Sequence, residues 1–202
     1  MSSKVLGNLK KGLVFVLSAP AGTGKTTLVR MLREEFSCVR ESISCTTRAP
    51  RQGELQGKDY HFLTREAFQE KVKKEAFLEY ADVFGDCYGT SKEYVAEELS
   101  KGHHVILVID TQGAMQIKEK IPAIFVFVSP PSFDELKERL LKRKTETPEK
   151  IERRLLWAKK EMEMIPHYDY HIVNDHLHTA YTVLKSILIA EEHRTKEEKS
   201  WQ

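Results

Sequence analysis

At 202 residues, with 41% hydrophobic and 31% charged side chains, the chain carries enough apolar material for one sizeable core and too much to remain disordered. Its 32 Lys and Arg against 30 Asp and Glu leave a formal charge of +2, which excludes a global field for nucleic acid or an anionic membrane, so anion recognition has to be local. Cys38, Cys45 and Cys87 form no CxxC pair, no apolar run reaches membrane-spanning length, and the polar start lacks a signal-peptide cleavage pattern; the expectation is a reduced, cytoplasmic protein without nucleic-acid or membrane partners, monomeric or weakly self-associating.

In chain order, the apolar run at 13–17 predicts a strand buried on both faces. It leads directly into Ala19, Pro20, Ala21, Gly22, Thr23, Gly24, Lys25 and Thr26, after which Leu28, Val29, Leu32 and Phe36 recur at helical spacing. Residues 42–92 break this pattern, being rich in Arg, Gly, Tyr and Thr with short strand-like pieces at 60–63 and 77–84, and read as an inserted subdomain. Further strands are predicted at 105–109 and 124–128, each followed by a helical pattern, at 112–118 and 132–143. The strongly charged stretch 137–154 carries Thr145, Glu146, Thr147 and Pro148 as a loop between helices, read as a flap. A weaker strand at 170–173 precedes the amphipathic stretch 177–192. The alternation predicts an α/β protein with a doubly wound parallel sheet and ligands at the carboxyl ends of its strands.

The loop after the first strand has the spacing of a phosphate-binding loop, with Ala19 where the general motif has its first glycine. Gly22 and Gly24 allow the backbone to turn successive N–H groups inward, Lys25 can reach the β and γ phosphates, and the Thr26 hydroxyl can ligate Mg²⁺. Asp110, at the end of the predicted strand at 105–109, is the natural second oxygen donor for that ion; capping the next helix is its alternative role. In the insertion, Ser44, Thr46, Thr47, Arg48, Arg51 and Glu54 concentrate hydroxyls and guanidinium groups in a compact loop able to clamp a phosphate. The histidines at 167, 171, 176 and 178 lack metal-ligand spacing, and Trp157, Met162 and Met164 are read as packing residues.

Taken together, Ser18 to Thr26, Thr46 to Glu54, Asp59-Tyr60, Phe77-Leu78-Glu79, Tyr88-Gly89-Thr90, Ile109 to Gly113, Pro130-Pro131-Ser132 and Ile172 to Asp175 carry a resemblance that covers nearly the whole chain: it resembles guanylate kinase. The resemblance implies a P-loop core (residues 1–42, 93–136 and 159–202), a mixed α+β GMP-binding insertion (43–92) and a small helical lid (137–158). It implies transfer of the γ-phosphoryl group of ATP to GMP, and also to dGMP, with Mg²⁺, in purine nucleotide metabolism. Arg48, Arg51, Tyr60 and Tyr88 would hold the GMP phosphate, with Glu54 orienting the arginines, while Ser44, Glu79 and Thr90 would face the guanine. Residues 19–27, including Thr27, together with Asn174 would bind ATP, and Arg139, Arg143 and Arg154 would close on the transferring group; a solvated basic face is the plainer account of those arginines.

The guanine assignment is chemically sensible, because N1–H and the 2-amino group are adjacent donors that one carboxylate accepts together, whereas adenine would leave Glu79 desolvated and unpaired. Two positions depart from the family pattern: Val108 stands where an acidic residue is usual, and Lys144 where glycine follows the second lid arginine. A nucleoside monophosphate kinase with another acceptor, and a noncatalytic guanylate-kinase-like binding module, are the competing readings.

Overall fold

The computed structural model describes residues 4–142 and 148–195. Among these, strands β1 (Val14–Ser18), β2 (Val39–Glu41), β7 (His104–Val108), β8 (Ile124–Ser129) and β9 (Tyr170–Val173) form a sheet in the order β2-β7-β1-β8-β9, every pairing parallel. β1 lies at the centre, with all five residues buried, as its unbroken apolar sequence requires.

Alternate residues of the strands serve opposite faces. Phe15, Leu17, Ile106, Val126 and Val128 pack against helices α1 (Lys25–Glu35) and α7 (Leu177–Glu192) through Leu28, Leu32, Leu184 and Leu188. Val14, Val16, Val105, Leu107 and Phe125 cover the other face, against α3 (Lys92–Ser100) and α4 (Thr111–Lys120) through Val95, Ala114 and Ile117. The end of α7 is fastened to this core by a buried pair, His104 Nε2 and Glu192 Oε2 at 2.6 Å; Glu192 also accepts from the backbone N–H groups of Gly7 and Asn8 at 2.7 and 2.9 Å. Burial alone would raise the Glu192 carboxyl, but these donors outweigh it and hold it below the ordinary range.

A second, mixed sheet lies between β2 and α3 in sequence. It runs in the order β4-β3-β6-β5, from β3 (Cys45–Thr46), β4 (His61–Phe62), β5 (Phe77–Val83) and β6 (Asp86–Ser91), with α2 (Arg65–Lys73) supplying Phe68 to a small core with Phe77 and Cys45. Gln116 on α4 fastens this sheet to the main one: it donates to the Tyr80 carbonyl at 2.8 Å and accepts from the Tyr80 N–H at 3.3 Å, as a neighbouring strand would. Beyond β8, α5 (Phe133–Lys142) and α6 (Pro148–Met162) pack through Leu136, Leu140, Ile151, Leu155 and Ala158.

The apolar runs at 13–17, 105–109, 124–128 and 170–173 correspond to four of the parallel strands. The strand-like pieces expected at 60–63 and 77–84 correspond to β4 and β5, whereas β2, with three residues, and β3, with two, are too short for periodicity to reveal. Arg143, Lys144, Thr145, Glu146 and Thr147, where the second lid arginine and most of the flap loop were expected, lie outside the described residues.

Candidate active site

At the carboxyl end of β1 the chain turns through Gly22 and Gly24, with φ of 95° and 93°, values that side chains rarely tolerate. The turn is braced from within. Thr23 is fully buried and its hydroxyl donates to the Pro20 carbonyl at 2.7 Å, while Asn174, from the end of β9, donates to the Thr23 carbonyl at 2.7 Å. Asn174 also lies so close to Gly24 that a Cβ there would sit 2.8 Å from its amide nitrogen, a second reason for glycine at 24.

Helices α2, α3 and α4 begin with Thr64, Ser91 and Asp110 accepting a backbone N–H through their side chains. α1 begins with Gly24, has no side-chain cap and carries no acidic residue in its first turn. Its positive end is therefore presented to the loop mouth, an arrangement suited to a phosphate. Lys25 Nζ folds back on the loop, donating to the carbonyls of Ala19 and, at 3.3 Å, Pro20. Ala19 is 2% exposed and packs into the main core, so its methyl group is accommodated where the general motif has glycine.

Lys25 and Thr26 border a cleft of about 1210 Å³ that also receives Ser44, Arg48, Arg51, Tyr60, Glu79 and Tyr88 from the second sheet, Asp110 from the end of β7 and Arg154 from α6. This is larger than the volume usual for one small ligand, and its walls come from three separate parts of the fold. Behind that lining, Glu54 receives the Arg48 guanidinium on both carboxylate oxygens at 2.9 Å and the Arg51 N–H at 2.8 Å. Burial would raise the Glu54 carboxyl, but the Arg51 N–H and the Arg48 guanidinium more than offset it, keeping the group ionised. The Arg48 guanidinium also stands 5.3 Å from the Tyr60 ring centroid, and Tyr60 meets Tyr88 edge to face at 5.9 Å. Two cations and two phenols are thus held together, three of the four in fixed contacts.

Glu79 forms the opposite pole. It is 3% exposed and accepts from Thr90 Oγ1, itself fully buried, at 2.6 Å. Its second oxygen lies against the first turn of α4, where a Cβ on Gly113 would come within 2.4 Å of it. Burial, reinforced by the charge of Asp110 and opposed by the Thr90 hydrogen bond, pushes the Glu79 carboxyl up to about 7. A carboxylate stripped of water and bordering a cavity is well suited to paired N–H donors from a ligand.

Asp110 plays the capping part: Oδ1 accepts from the Gly113 N–H at 2.9 Å and Oδ2 from Gln112 Nε2 at 3.1 Å. Each oxygen retains a lone pair, and both Asp110 and Thr26 border the cleft, so the oxygen donors present fit a hard cation that takes one or two protein ligands. Among the described residues no three His, Cys, Asp or Glu converge as a metal set; of the histidines near the C-terminus, His171 pairs with Ser129 at 2.8 Å and His167, His176 and His178 are exposed.

Several residues sit differently from their sequence reading. Arg139 does not border the cleft; it pairs with Glu135 at 2.9 Å and donates to the Asn174 carbonyl at 3.1 Å, behind the phosphate loop. Trp157, read as packing, borders the cleft instead, and so does Glu161, which sequence reasoning passed over. The missed signal is the spacing on α6: Lys150, Arg153, Arg154, Trp157 and Glu161 make one helical stripe along the cleft, while Ile151, Leu155 and Ala158 make another against α5. Glu161 is 6% exposed, and burial together with Asp110 raises its carboxyl to about 7 against the pull of Lys25. Val108 contributes an apolar wall to the same cleft.

Comparison with known proteins agrees with this arrangement. The family model described as guanylate kinase matches residues 11–191. Guanylate kinase from Protochlamydia amoebophila (strain UWE25) is 56% identical over 188 residues, covering 93% of this chain and 95% of the relative; that from Chlamydia pneumoniae is 50% identical, covering 90% and 89%. The crystal structure of guanylate kinase from Anaplasma phagocytophilum superimposes with a TM-score of 0.76 at 34% identity, covering 92% of this chain and 88% of that one. Sequence match, fold and the phosphate loop beside a second polar pole converge, and the chain belongs to the guanylate kinase family.

Proposed function

We propose a division of labour within the cleft for the guanylate kinase reaction, in which the chain transfers the γ-phosphoryl group of ATP to GMP, releasing ADP and GDP. One observation carries it: a phosphate loop with Lys25 and Thr26 and a buried carboxylate, Glu79, border a single cleft with Arg48 and Arg51. ATP lies along Ala19, Pro20, Ala21, Gly22, Thr23, Gly24, Lys25, Thr26 and Thr27, with Asn174 holding the loop in shape. GMP lies on the second sheet, its phosphate on Arg48, Arg51, Tyr60 and Tyr88, its guanine against Ser44, Glu79 and Thr90. The base contacts do not involve the ribose 2′-hydroxyl, so dGMP is accepted as well.

The reaction needs no protein general base. A phosphate monoester loses its second proton near pH 6, so the attacking oxygen of GMP is already ionised at neutral pH. What the protein supplies is placement and charge: Lys25 and the N-terminus of α1 on the donor phosphates, Arg48 and Arg51 on the acceptor, and Arg154 from α6 over the space between them. Arg139, one layer back, braces the Asn174 side of the phosphate loop and is less direct in its action than Arg154. Thr26 and Asp110 would hold Mg²⁺, which would supply charge neutralisation to the donor phosphates. Closed α5–α6 excludes water that would otherwise take the phosphoryl group. The free cysteines and the nucleotide substrates support a cytoplasmic setting.

Lys25→Ala tests the donor half. The variant is expected to fold, since Lys25 opens α1 at the border of the cleft and takes no part in the apolar core, and to lose ATP-to-GMP transfer by at least about a hundredfold. Turnover unchanged in a coupled ADP-release assay would remove the phosphate loop from the mechanism.

A further inference from the structure

The β5–β6 hairpin turns at Phe84 and Gly85, with φ of 58° and 91°. Two consecutive residues at positive φ define the turn that fits a two-residue hairpin, and its first position favours Asn, Asp or Gly. A phenylalanine there is strained and, at 43% exposure, wins little from burial in its own sheet. Its ring instead meets α6: the Phe84 and Trp157 centroids are 5.5 Å apart at 58°, and the Arg153 guanidinium lies 4.9 Å from the Phe84 centroid. Trp157 is not part of the α5–α6 packing, which uses Ile151, Leu155 and Ala158 on another face.

We infer that Phe84, Trp157 and Arg153 form a latch between the acceptor-binding sheet and the lid, and that Phe84 and Trp157 are positioning residues that act through Arg154. The latch joins the tip of the sheet that carries Glu79 and Tyr88 to the helix turn that carries Arg154, so the contact ties the two together across the cleft. An occupied acceptor site that draws the hairpin inward therefore also brings the arginine into place, and chemistry waits for GMP. The inference rests on the role proposed for Arg154, adjacent in sequence to Arg153.

Three measurements test it. Phe84→Asn suits the turn better than the native residue, so the melting temperature should hold or rise, while kcat falls roughly three- to tenfold, the worth of an aromatic pair. Trp157→Ala should give the same loss with ATP affinity within about twofold of native, Trp157→Phe should restore most of it, and the double variant should be no worse than either single one. In a Trp201→Phe background, which leaves Trp157 as the sole tryptophan, adding GMP with a nonhydrolysable ATP analogue should shift its emission, and Phe84→Asn should abolish the shift. Native kcat in Phe84→Asn and Trp157→Ala, additive losses in the double variant, or an emission shift that survives Phe84→Asn would each overturn the latch. Arg154→Ala separates the two ideas: native kcat in that variant would reject the role of Arg154, whereas the emission shift that Phe84→Asn removes reports the latch.

Discussion

Replacing Glu79 with Gln keeps the size of the side chain and its acceptor for Thr90, which donates to the carboxylate at 2.6 Å, and removes only the charge. Two opposite effects follow. A guanine that offers two donors to a carboxylate loses a charge-assisted pair, worth about 1.5–3 kcal/mol, so the KM for GMP should rise roughly 10- to 150-fold while that for ATP stays within about twofold. The unliganded protein should instead gain stability. The folded carboxyl sits at about 7 against 4.5 ordinarily, which is roughly 3 kcal/mol of unfavourable burial once both states are ionised. Because the native state binds the proton more tightly, wild-type stability falls as pH rises from about 4.5 to 7, and the penalty is complete above that. Glu79→Gln should therefore melt several degrees above wild type at pH 8, and the difference should vanish near pH 4.5. The same ionisation makes wild-type affinity for GMP weaken as pH drops below 7 more steeply than in the variant, in which only the GMP phosphate titrates near 6. Initial-rate kinetics for both substrates and thermal melts across pH give all of these numbers. Equal rises in the two KM values, or a variant that melts below wild type at pH 8, would refute the reasoning.

Gly113→Ala places a methyl group where Glu79 Oε2 now lies, 2.4 Å away, so the carboxylate must move; the KM for GMP should rise about tenfold or more with the KM for ATP unchanged, read from the same kinetics. Glu192→Ala strips His104 and the N–H groups of Gly7 and Asn8 of their buried acceptor, costing about 3–5 kcal/mol, and should lower the melting temperature by roughly 10 °C in differential scanning calorimetry with kcat at low temperature nearly native.

The strand, glycine-rich loop and helix at 13–36 were legible because one continuous apolar run and two obligatory glycines specify them locally. β7, β8 and α7 were legible for the same reason, long uninterrupted patterns. The second sheet was legible only in part: the pieces at 60–63 and 77–84 correspond to β4 and β5, but β3, with two residues, and the pairing of the strands were not, because what holds them is the Phe68–Phe77–Cys45 cluster and the Gln116 clasp on Tyr80, contacts between residues far apart in sequence. The cleft residues that motifs recorded, such as Arg48, Arg51 and Glu79, stand together in it. Those on α6 were read one at a time, and a tryptophan on a charged helix looks like packing until the stripe from Lys150 to Glu161 is counted as a face. The placement of Arg139 behind the phosphate loop has no sequence signal at all, since its Glu135 partner is an ordinary helical ion pair.

The central claim, that this cleft recognises guanine and transfers a phosphoryl group to the phosphate of GMP, is tested most directly by ATP-dependent phosphorylation of GMP, dGMP, AMP, UMP and CMP by the purified chain under one set of conditions. The account predicts that kcat/KM for GMP exceeds that for AMP by roughly a hundredfold or more, with dGMP also used, because only guanine satisfies the buried Glu79. A preference for AMP, UMP or CMP, or equal use of GMP and AMP, would contradict it.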